Sequence, residues 1–214
     1  MANIFWSNVG IDVQSALATA LTITAITKAN PGVVSYTGTD PANGDYVVMS
    51  VVGMFQVNSR VFRVANVNAG GNTFELEGED TSAYDTFTSG TCQVITFGYS
   101  MTTVQGINAS GGEPQFADLT VVHENVERRA PVRTSPMSMT MESLYSSTDT
   151  AILALRSAAR ALTTRAIKFR FADGTKMVFT AYISAAAIPT GAAGEAVKEN
   201  LGFEAQGLPT VYST

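Results

Sequence analysis

The sequence holds one cysteine and one histidine, side chains that often supply a nucleophile, a base or a metal ligand. A catalytic triad would require His123 to meet Cys92 or a serine in the folded chain. Cys92 lies in a threonine-rich run typical of a strand, where a cysteine is more often a small buried side chain than a nucleophile. A zinc site would need further histidine or cysteine ligands. We therefore expect no catalytic residue, no metal site and no cofactor.

Acidic side chains cluster within residues 75–80, where calcium ligands or the paired carboxylates of a glycosidase are conceivable. The alternation of apolar and acidic residues in Phe74-Glu75-Leu76-Glu77 instead indicates the solvated face of a strand. The loops of the sequence also lack the ligand spacing of a calcium-binding motif. The cluster therefore predicts a strand surface and no binding site.

Six cations lie within residues 156–176, with Asp173 the only acid among them. Arginines on a helix can indicate contact with DNA, but the whole chain has 13 Lys plus Arg against 18 Asp plus Glu, a net charge of -5. That sign disfavours tight binding of a phosphate backbone. The cations either meet acids of a neighbouring subunit or keep the helix soluble. We take Arg156, Arg160 and Arg165 as candidate subunit-interface cations.

The composition predicts the kind of secondary structure and the character of the surface. Charged residues make up 14% of the chain, against roughly a quarter in typical soluble proteins, so few charged side chains are available to cover the surface. We expect such a chain to bury surface against partners. Short β-rich runs separated by turns predict a mainly β fold. The sequence shows no signal peptide and no stretch of about 18 apolar residues, so we expect synthesis in a cytoplasm and no membrane insertion.

The chain divides into three predicted parts. Residues 1–19 carry apolar groups without a sustained period and are interpreted as an N-terminal arm. Residues 20–98 are uniformly strand-like, hold seven acids against three bases, and predict a small β-barrel-like accessory module. Residues 99–214 carry ten acids and ten bases and form the predicted core domain.

Within the core domain, residues 106–136 predict a long loop, of a length that is usually functional or disordered. A helix is predicted over residues 148–163, because apolar residues recur every three or four positions after a capping run. An Asp173-Gly174 hairpin and a strand over residues 196–204 follow. Residues 207–214 are interpreted as an extended arm.

Residues 99–214 resemble the tail tube proteins of long-tailed, lambda-like bacteriophages (siphoviruses). The resemblance lies in the order strand, long loop, strand, helix, Asp-Gly hairpin and closing strand. Its most specific portions are residues 171–184, the turn at residues 189–194 and the phrase Gly207-Leu208-Pro209. Residues 23–76 are similar to a small module of phage tail proteins, which also resembles a piece of ubiquitin-activating enzymes and implies a shared fold without activity. The shortest family members lack this module.

The resemblance implies a tail-tube β-sandwich or barrel with one flanking helix, plus the small N-terminal barrel-like module. It implies a structural virion protein whose hexameric rings stack into the tail tube, the channel for DNA delivery to the host. DNA would pass through the lumen without specific binding. The implied partners are further copies of the chain, a tape-measure protein and a tail terminator, with assembly in the bacterial host cytoplasm.

Two hypotheses concern assembly. We expect residues 106–136 to form the contact between rings and residues 20–98 to lie on the outside of the tube, because the first stretch is long and charged and the second is self-contained and acidic. The candidate ring-stacking residues are Asp118, Glu124, Glu127, Arg128, Arg129 and Arg133.

Three other functions stay open. The inner tube of a contractile injection system shares the fold by family resemblance. A virion-surface adhesion module would bind a glycan through exposed aromatics such as Tyr36, Tyr84 or Phe87, although such residues are more often core. An enzyme is the least favoured reading, because the sequence contains no constellation of acid, base, nucleophile or metal ligands.

Overall fold

The computed structural model describes residues 8–123, 125–186 and 188–213. It confirms the mainly β fold class with one flanking helix. An eight-stranded sheet (the large sheet), a seven-stranded sheet and a two-stranded hairpin contain all the described strands. The elements in chain order are β1 (Gly10–Val13), β2 (Ala16–Leu17), β3 (Leu21–Ile26), β4 (Val33–Thr37), β5 (Tyr46–Val52), β6 (Val61–Asn68), β7 (Thr73–Leu76), β8 (Ser89–Thr96), β9 (Tyr99–Met101), β10 (Val104–Ser110), β11 (Pro114–Asp118), β12 (Arg129–Thr134), β13 (Ser138–Leu144), α1 (Thr150–Ala161), β14 (Thr164–Arg170), β15 (Lys176–Ala185), β16 (Lys198–Ala205) and β17 (Thr210–Tyr212).

The seven-stranded sheet closes on itself into a small barrel. Its ring runs β3-β4-β7-β6-β5-β8, and β8 pairs with both β3 and β5, while β2 extends one side of β8. Side chains alternate between the inside and the outside of the barrel: Leu21 and Ile23 of β3 are buried, whereas Thr22 is exposed. Closure leaves the ring without free edges. Its largest fully buried side chains are Tyr36, Met49, Met54, Phe62, Phe74 and Leu76.

The large sheet has the order β10-β13-β16-β15-β14-β1-β9, and β17 pairs with the first half of β15 beside β16. The sheet curls, since β9 and β10, its two ends, line a common cavity. One layer of the resulting sandwich contains β10, β13 and β16, and the other contains β14, β1 and β9. A single core lies between them, with side chains from both layers and from α1; it includes Ile11, Met141, Ile152, Leu155, Ile167, Phe179, Leu201 and Phe203.

The helix α1 lies against the sandwich core within the predicted range 148–163. The Asp149 side chain caps it by accepting hydrogen bonds from the backbone N–H groups of Ala151 and Ile152. Ile152 and Leu155 are fully buried, as the three-residue spacing predicts. The helix ends at Ala161, and the following residue, Leu162, takes a left-handed conformation with φ 53°.

A buried seam joins the small barrel to the large sheet. Thr210 Oγ1 donates to the Val61 carbonyl at 2.6 Å, and the Tyr212 hydroxyl accepts the Arg63 N–H at 2.8 Å. The barrel therefore shares a hydrophobic cluster with the rest of the chain. The separate domain over residues 20–98 stays a prediction. The cluster contains Tyr46, Val61, Ile95, Ala166, Val178 and Tyr212.

Both predicted terminal arms contain strands of the large sheet. Residues 10–13, inside the arm predicted over residues 1–19, form β1 between β9 and β14. Residues 210–212, inside the arm predicted at the C-terminus, form β17. Residues 1–7 of the first arm and residue 214 of the second lie outside the described residues.

The stretch predicted as a loop over residues 106–136 is mostly strand in the structure. It contains most of β10 and a projecting hairpin of β11 and β12, in register with Asp118 opposite Arg129. We call residues 111–136 the long hairpin. Its strands escaped the sequence analysis because both faces of the hairpin are largely exposed, which removes the alternation that marks a half-buried strand.

Candidate assembly surfaces

The cysteine is buried, and the histidine is exposed to solvent. Cys92 is buried in the small barrel, and burial raises the pKa of its thiol to about 12, which disfavours the reactive thiolate. His123 is exposed in the turn of the long hairpin. In the described residues, no group of three or more His, Cys, Asp or Glu side chains is placed to hold a metal ion.

Two arginines, Arg63 of β6 and Arg60 directly before β6, hold the acidic cluster of residues 75–80. Glu77 pairs with Arg63, and Glu79 pairs with Arg60 through both guanidinium nitrogens. The Glu77 contact also raises the pKa of Arg63 above its ordinary value. These carboxylates therefore stabilise the outside of the barrel beside the seam.

The candidate stacking residues lie along the long hairpin, except for Glu124, which is outside the described residues. Asp118 accepts hydrogen bonds from the Thr120 hydroxyl and backbone N–H, which lower the pKa of its carboxyl. The Arg128 N–H donates to the Thr120 hydroxyl at 3.2 Å, and the Arg128 carbonyl accepts the Leu119 N–H at 2.8 Å. These bonds define where the two strands of the hairpin end and its turn begins.

The other hairpin charges make contacts within the hairpin. Arg129 lies 3.4 Å from Glu127, and both side chains are mostly exposed. Arg133 Nε donates to the Gln115 side-chain oxygen at 2.7 Å. Exposed pairs of this kind contribute only about 0–1 kcal/mol, so these charges remain able to contact a second molecule at little cost.

The hairpin also carries several exposed apolar side chains. Val122 is fully exposed at the turn, and Val126 is 70% exposed. Phe116, Leu119, Val121 and Val132 are each more than half exposed. A projection that carries this much apolar surface is typical of an interaction element.

The three candidate interface cations differ in their surroundings. Arg156 donates to Glu199 Oε2 at 2.6 and 3.1 Å, and its guanidinium lies 4.8 Å from the Tyr145 ring centroid. Arg160 is exposed and makes no ion pair in residues that the structure describes. Arg165 Nε is buried without a hydrogen-bond partner among the same residues. The intersubunit role of these three cations stays a prediction, with Arg160 the best placed.

A further ion-pair network holds β1 in the large sheet. Asp12 is buried and accepts from Arg170 Nε at 2.7 Å, from the Ser100 hydroxyl at 2.9 Å, and pairs with Lys168 at 3.2 Å. Burial raises the pKa of Asp12, but these donors outweigh burial, and the net pKa lies below the ordinary value. Asp12 therefore stays charged in the fold.

Sequence reasoning missed a polar surface on the layer that contains β10, β13 and β16. We call the outward side of this layer the polar face. The small barrel covers β14, β17 and the first half of β15, whereas the outward side chains of β10, β13 and β16 are uncovered. The alternation of apolar and polar residues in Met137–Met141 indicates two strand faces but does not show which face is buried. Lys198 on this face pairs with Glu142 at 2.7 Å. The exposed members are Asn108, Ser110, Thr140, Asn200 and Glu204.

Two comparisons bear on identity. The family model for the phage tail tube protein matches residues 52–214, which include half of the small barrel and almost the whole large sheet. A search of curated proteins finds no significant match. In the described residues, no helix is long and apolar enough to cross a membrane.

Proposed function

The chain belongs to the phage tail tube protein family, and we propose on this basis that its copies form hexameric rings that stack into the tail tube. Family membership gives a structural role in the virion tail and self-assembly with other tail components. The finer parts of the proposal are sixfold symmetry, a lumen that conducts the genome, and assembly in the host cytoplasm. A tape-measure protein and a tail terminator are the proposed partners that set tube length.

The observation that carries the ring proposal is the pair of open edges of the large sheet. Among the described strands, β10 pairs only with β13, and β9 pairs only with β1. Each edge presents unpaired backbone N–H and C=O groups, which native proteins cover or pair. Pairing of β9 or β10 with a strand of a neighbouring copy, repeated around a closed ring, would cover that edge in every copy.

The polar face supports the proposal that this layer lines the lumen. Its exposed side chains are hydroxyls, amides and the carboxylate of Glu204, and its lysine is paired with Glu142. A surface without a free cation offers no counter-ion to DNA phosphates, so DNA can slide past it. The small barrel lies on the opposite layer, which agrees with an external position for residues 20–98.

The test of tube formation is negative-stain electron microscopy of the concentrated recombinant protein, beside its mass by light scattering. We expect rings with sixfold symmetry or hollow tubes. Rings of another symmetry would refute the hexamer, and a globular dimer without a central hole would refute the tube reading.

The lumen assignment is tested by cysteine labelling, because the native Cys92 is buried. In assembled tubes, Thr140→Cys should react with a small maleimide but not with a maleimide carrying a polymer too wide for the lumen. The matched control is Thr22→Cys on the outside of the barrel, which should react with both reagents. Reaction of Thr140→Cys with the wide reagent in intact tubes would place this face outside.

The external role of the barrel is tested by removing residues 20–98. The proposal that this module is an accessory requires the remaining chain to fold and form rings. The buried seam predicts exposure of Ala166, Val178 and Tyr212 in such a deletion. Replacing these three residues by polar ones in the deletion variant should keep it soluble. A soluble variant that forms no rings would then show that the module is needed for assembly.

A further inference from the structure

An apolar cavity, which we call the end cavity, opens in the sandwich beside the base of the long hairpin. Its volume is about 280 Å³. Strands β10, β13 and β16 line one side and β14 and β15 line the other, so the cavity continues the sandwich core. None of the described residues that line it carries a charge. The lining includes Met137, Met139, Phe169, Phe171, Met177 and Phe179.

The lining favours an uncharged aromatic or aliphatic occupant. The rings of Phe169 and Phe171 stack with their centroids 6.4 Å apart, and those of Phe169 and Phe179 with their centroids 6.1 Å apart. Methionine side chains are flexible and contact aromatic rings favourably, so the lining can adapt to a bulky ring. The lining hydroxyl of Ser138 already forms a hydrogen bond with the Ser110 hydroxyl at 2.9 Å. A charged group would lose its hydration in this cavity without gaining a partner.

The chain that leads into β1 passes directly beside the end cavity. Gly10, the first residue of β1, pairs with Arg170, and Phe171 of the cavity follows Arg170 in the sequence. Val9 is partly buried and packs against the sandwich core. Asn8 has a left-handed backbone with φ 63°, which ends the extended line of the strand. The residues before Asn8 therefore start next to the cavity.

Those residues have the composition that the lining favours. Residues 1–7 lie outside the described part of the chain, and they include Ile4, Phe5 and Trp6 without a charged side chain. Two residues of extended chain span at most about 7 Å and four about 14 Å, so all three side chains start within a short distance of the cavity. A dry cavity of about 150 Å³ accepts a benzene ring, so the larger end cavity has room for an indole.

A second cavity beside β1 is a poorer match for the same side chains. Its volume is about 550 Å³, and its lining includes Ser100, Thr102, Gln105 and the guanidinium-bearing Arg170. An apolar segment placed there would cover polar groups without satisfying their hydrogen bonds, which is unfavourable. The end cavity is therefore the better site for an aromatic group.

We propose that Trp6, with Ile4 and Phe5 beside it, occupies the end cavity of its own subunit. The segment then covers Met137, which directly follows the long hairpin. Met137 packs closely on the hairpin base, since a Cβ at Gly112 would lie 3.3 Å from Met137 Cγ. The docked segment thus braces the base of the hairpin from inside the subunit. The docking concerns one subunit and does not depend on ring formation.

The fluorescence of the unassembled subunit is the first test, because Trp6 is the only tryptophan. We expect its emission at a shorter wavelength than in the urea-unfolded chain, and weaker quenching by acrylamide, since docking removes the indole from water. Emission and quenching equal to those of the unfolded chain would overturn the proposal. The measurement uses the unaltered protein, so no substitution can disturb its fold.

A nitroxide label on a single introduced cysteine locates Trp6, because a nitroxide quenches tryptophan only at short range and the native Cys92 is buried. The labelled variants are Ala109→Cys at the end cavity, Gln105→Cys at the second cavity and Thr22→Cys on the small barrel, all at exposed positions. We expect the strongest quenching from the label at Ala109→Cys and none from the control at Thr22→Cys. Stronger quenching from Gln105→Cys would place Trp6 in the second cavity and overturn the assignment.

Mixing decides between the same subunit and a second copy. Labelled Ala109→Cys subunits that also carry Trp6→Phe are combined with unlabelled, unaltered subunits, before and after concentration. We expect no quenching in the mixture, because each Trp6 then lies in an unlabelled subunit. Quenching in the mixture would assign the end cavity to the segment of a neighbouring copy and overturn docking within one subunit. Failure to form rings or tubes would refute the proposed function and leave these fluorescence results unchanged.

Discussion

Tyr212→Phe tests whether the C-terminal strand fastens the small barrel to the large sheet. The Tyr212 hydroxyl accepts the Arg63 backbone N–H at 2.8 Å, and the ring lies under the Arg63 guanidinium, 4.7 Å from the centroid. Phenylalanine keeps the ring and its packing but leaves the N–H without that acceptor. The variant therefore isolates one hydrogen bond across the seam.

The expected loss is that of one buried donor left unsatisfied, about 1–3 kcal/mol. For a chain of this size each kcal/mol lowers Tm by about 2–4 °C, so a fall of about 4–8 °C corresponds to the middle of the range. Thermal and urea unfolding of the unassembled subunit, followed by circular dichroism, measure the change. Tyr212→Ala should lose more, about 3–5 kcal/mol, because the buried ring is also removed.

The matched control is Val211→Ala in the same strand, whose side chain is 56% exposed. We expect a change within about 0.5 kcal/mol, as for most surface substitutions. Equal effects of Tyr212→Phe and Val211→Ala would refute the reasoning, and would favour the free C-terminal arm that the sequence alone suggests.

Three further predictions follow from the fold. Leu155→Ala should destabilise the subunit by about 2–5 kcal/mol, whereas Leu153→Ala on the exposed side of α1 should change little, as measured by urea unfolding. Asp149→Ala should cost about 1 kcal/mol through loss of the helix cap, and Asp149→Ser should recover most of it. The lowered pKa of Asp12 means that its stabilisation is complete above its unfolded pKa and is lost as pH falls through the folded pKa. Asp12→Asn should thus cost about 2 kcal/mol at pH 7, less than a fully buried pair because Arg170 is half exposed, and should flatten the pH dependence below about pH 4.

Much of the fold was predictable where one face of an element is buried. The spacing of Ile152 and Leu155 and the cap before them predicted α1, and the structure places it at Thr150–Ala161. Short β-rich runs separated by turns in residues 20–98 likewise predicted the strands of a small barrel. In both regions the signal is local in the sequence, and the structure has α1 and strands β3 to β8 in the predicted ranges.

Prediction failed where burial has no period. Strand β1 has Ile11, Asp12 and Val13 all buried, because the sandwich core covers one face and the ion-pair network with Arg170 covers the other. A buried aspartate within such a strand looks like a loop residue in the sequence. The strands of the long hairpin were missed for the opposite reason, since neither face of the hairpin is covered within the subunit.

The candidate lumen surface needs the tertiary structure because its members are distant in sequence. Asn108, Thr140 and Asn200 share one face only through the pairing of β10 with β13 and of β13 with β16. The sequence shows that each strand has two faces, but which face stays uncovered depends on where the sandwich core and the small barrel pack.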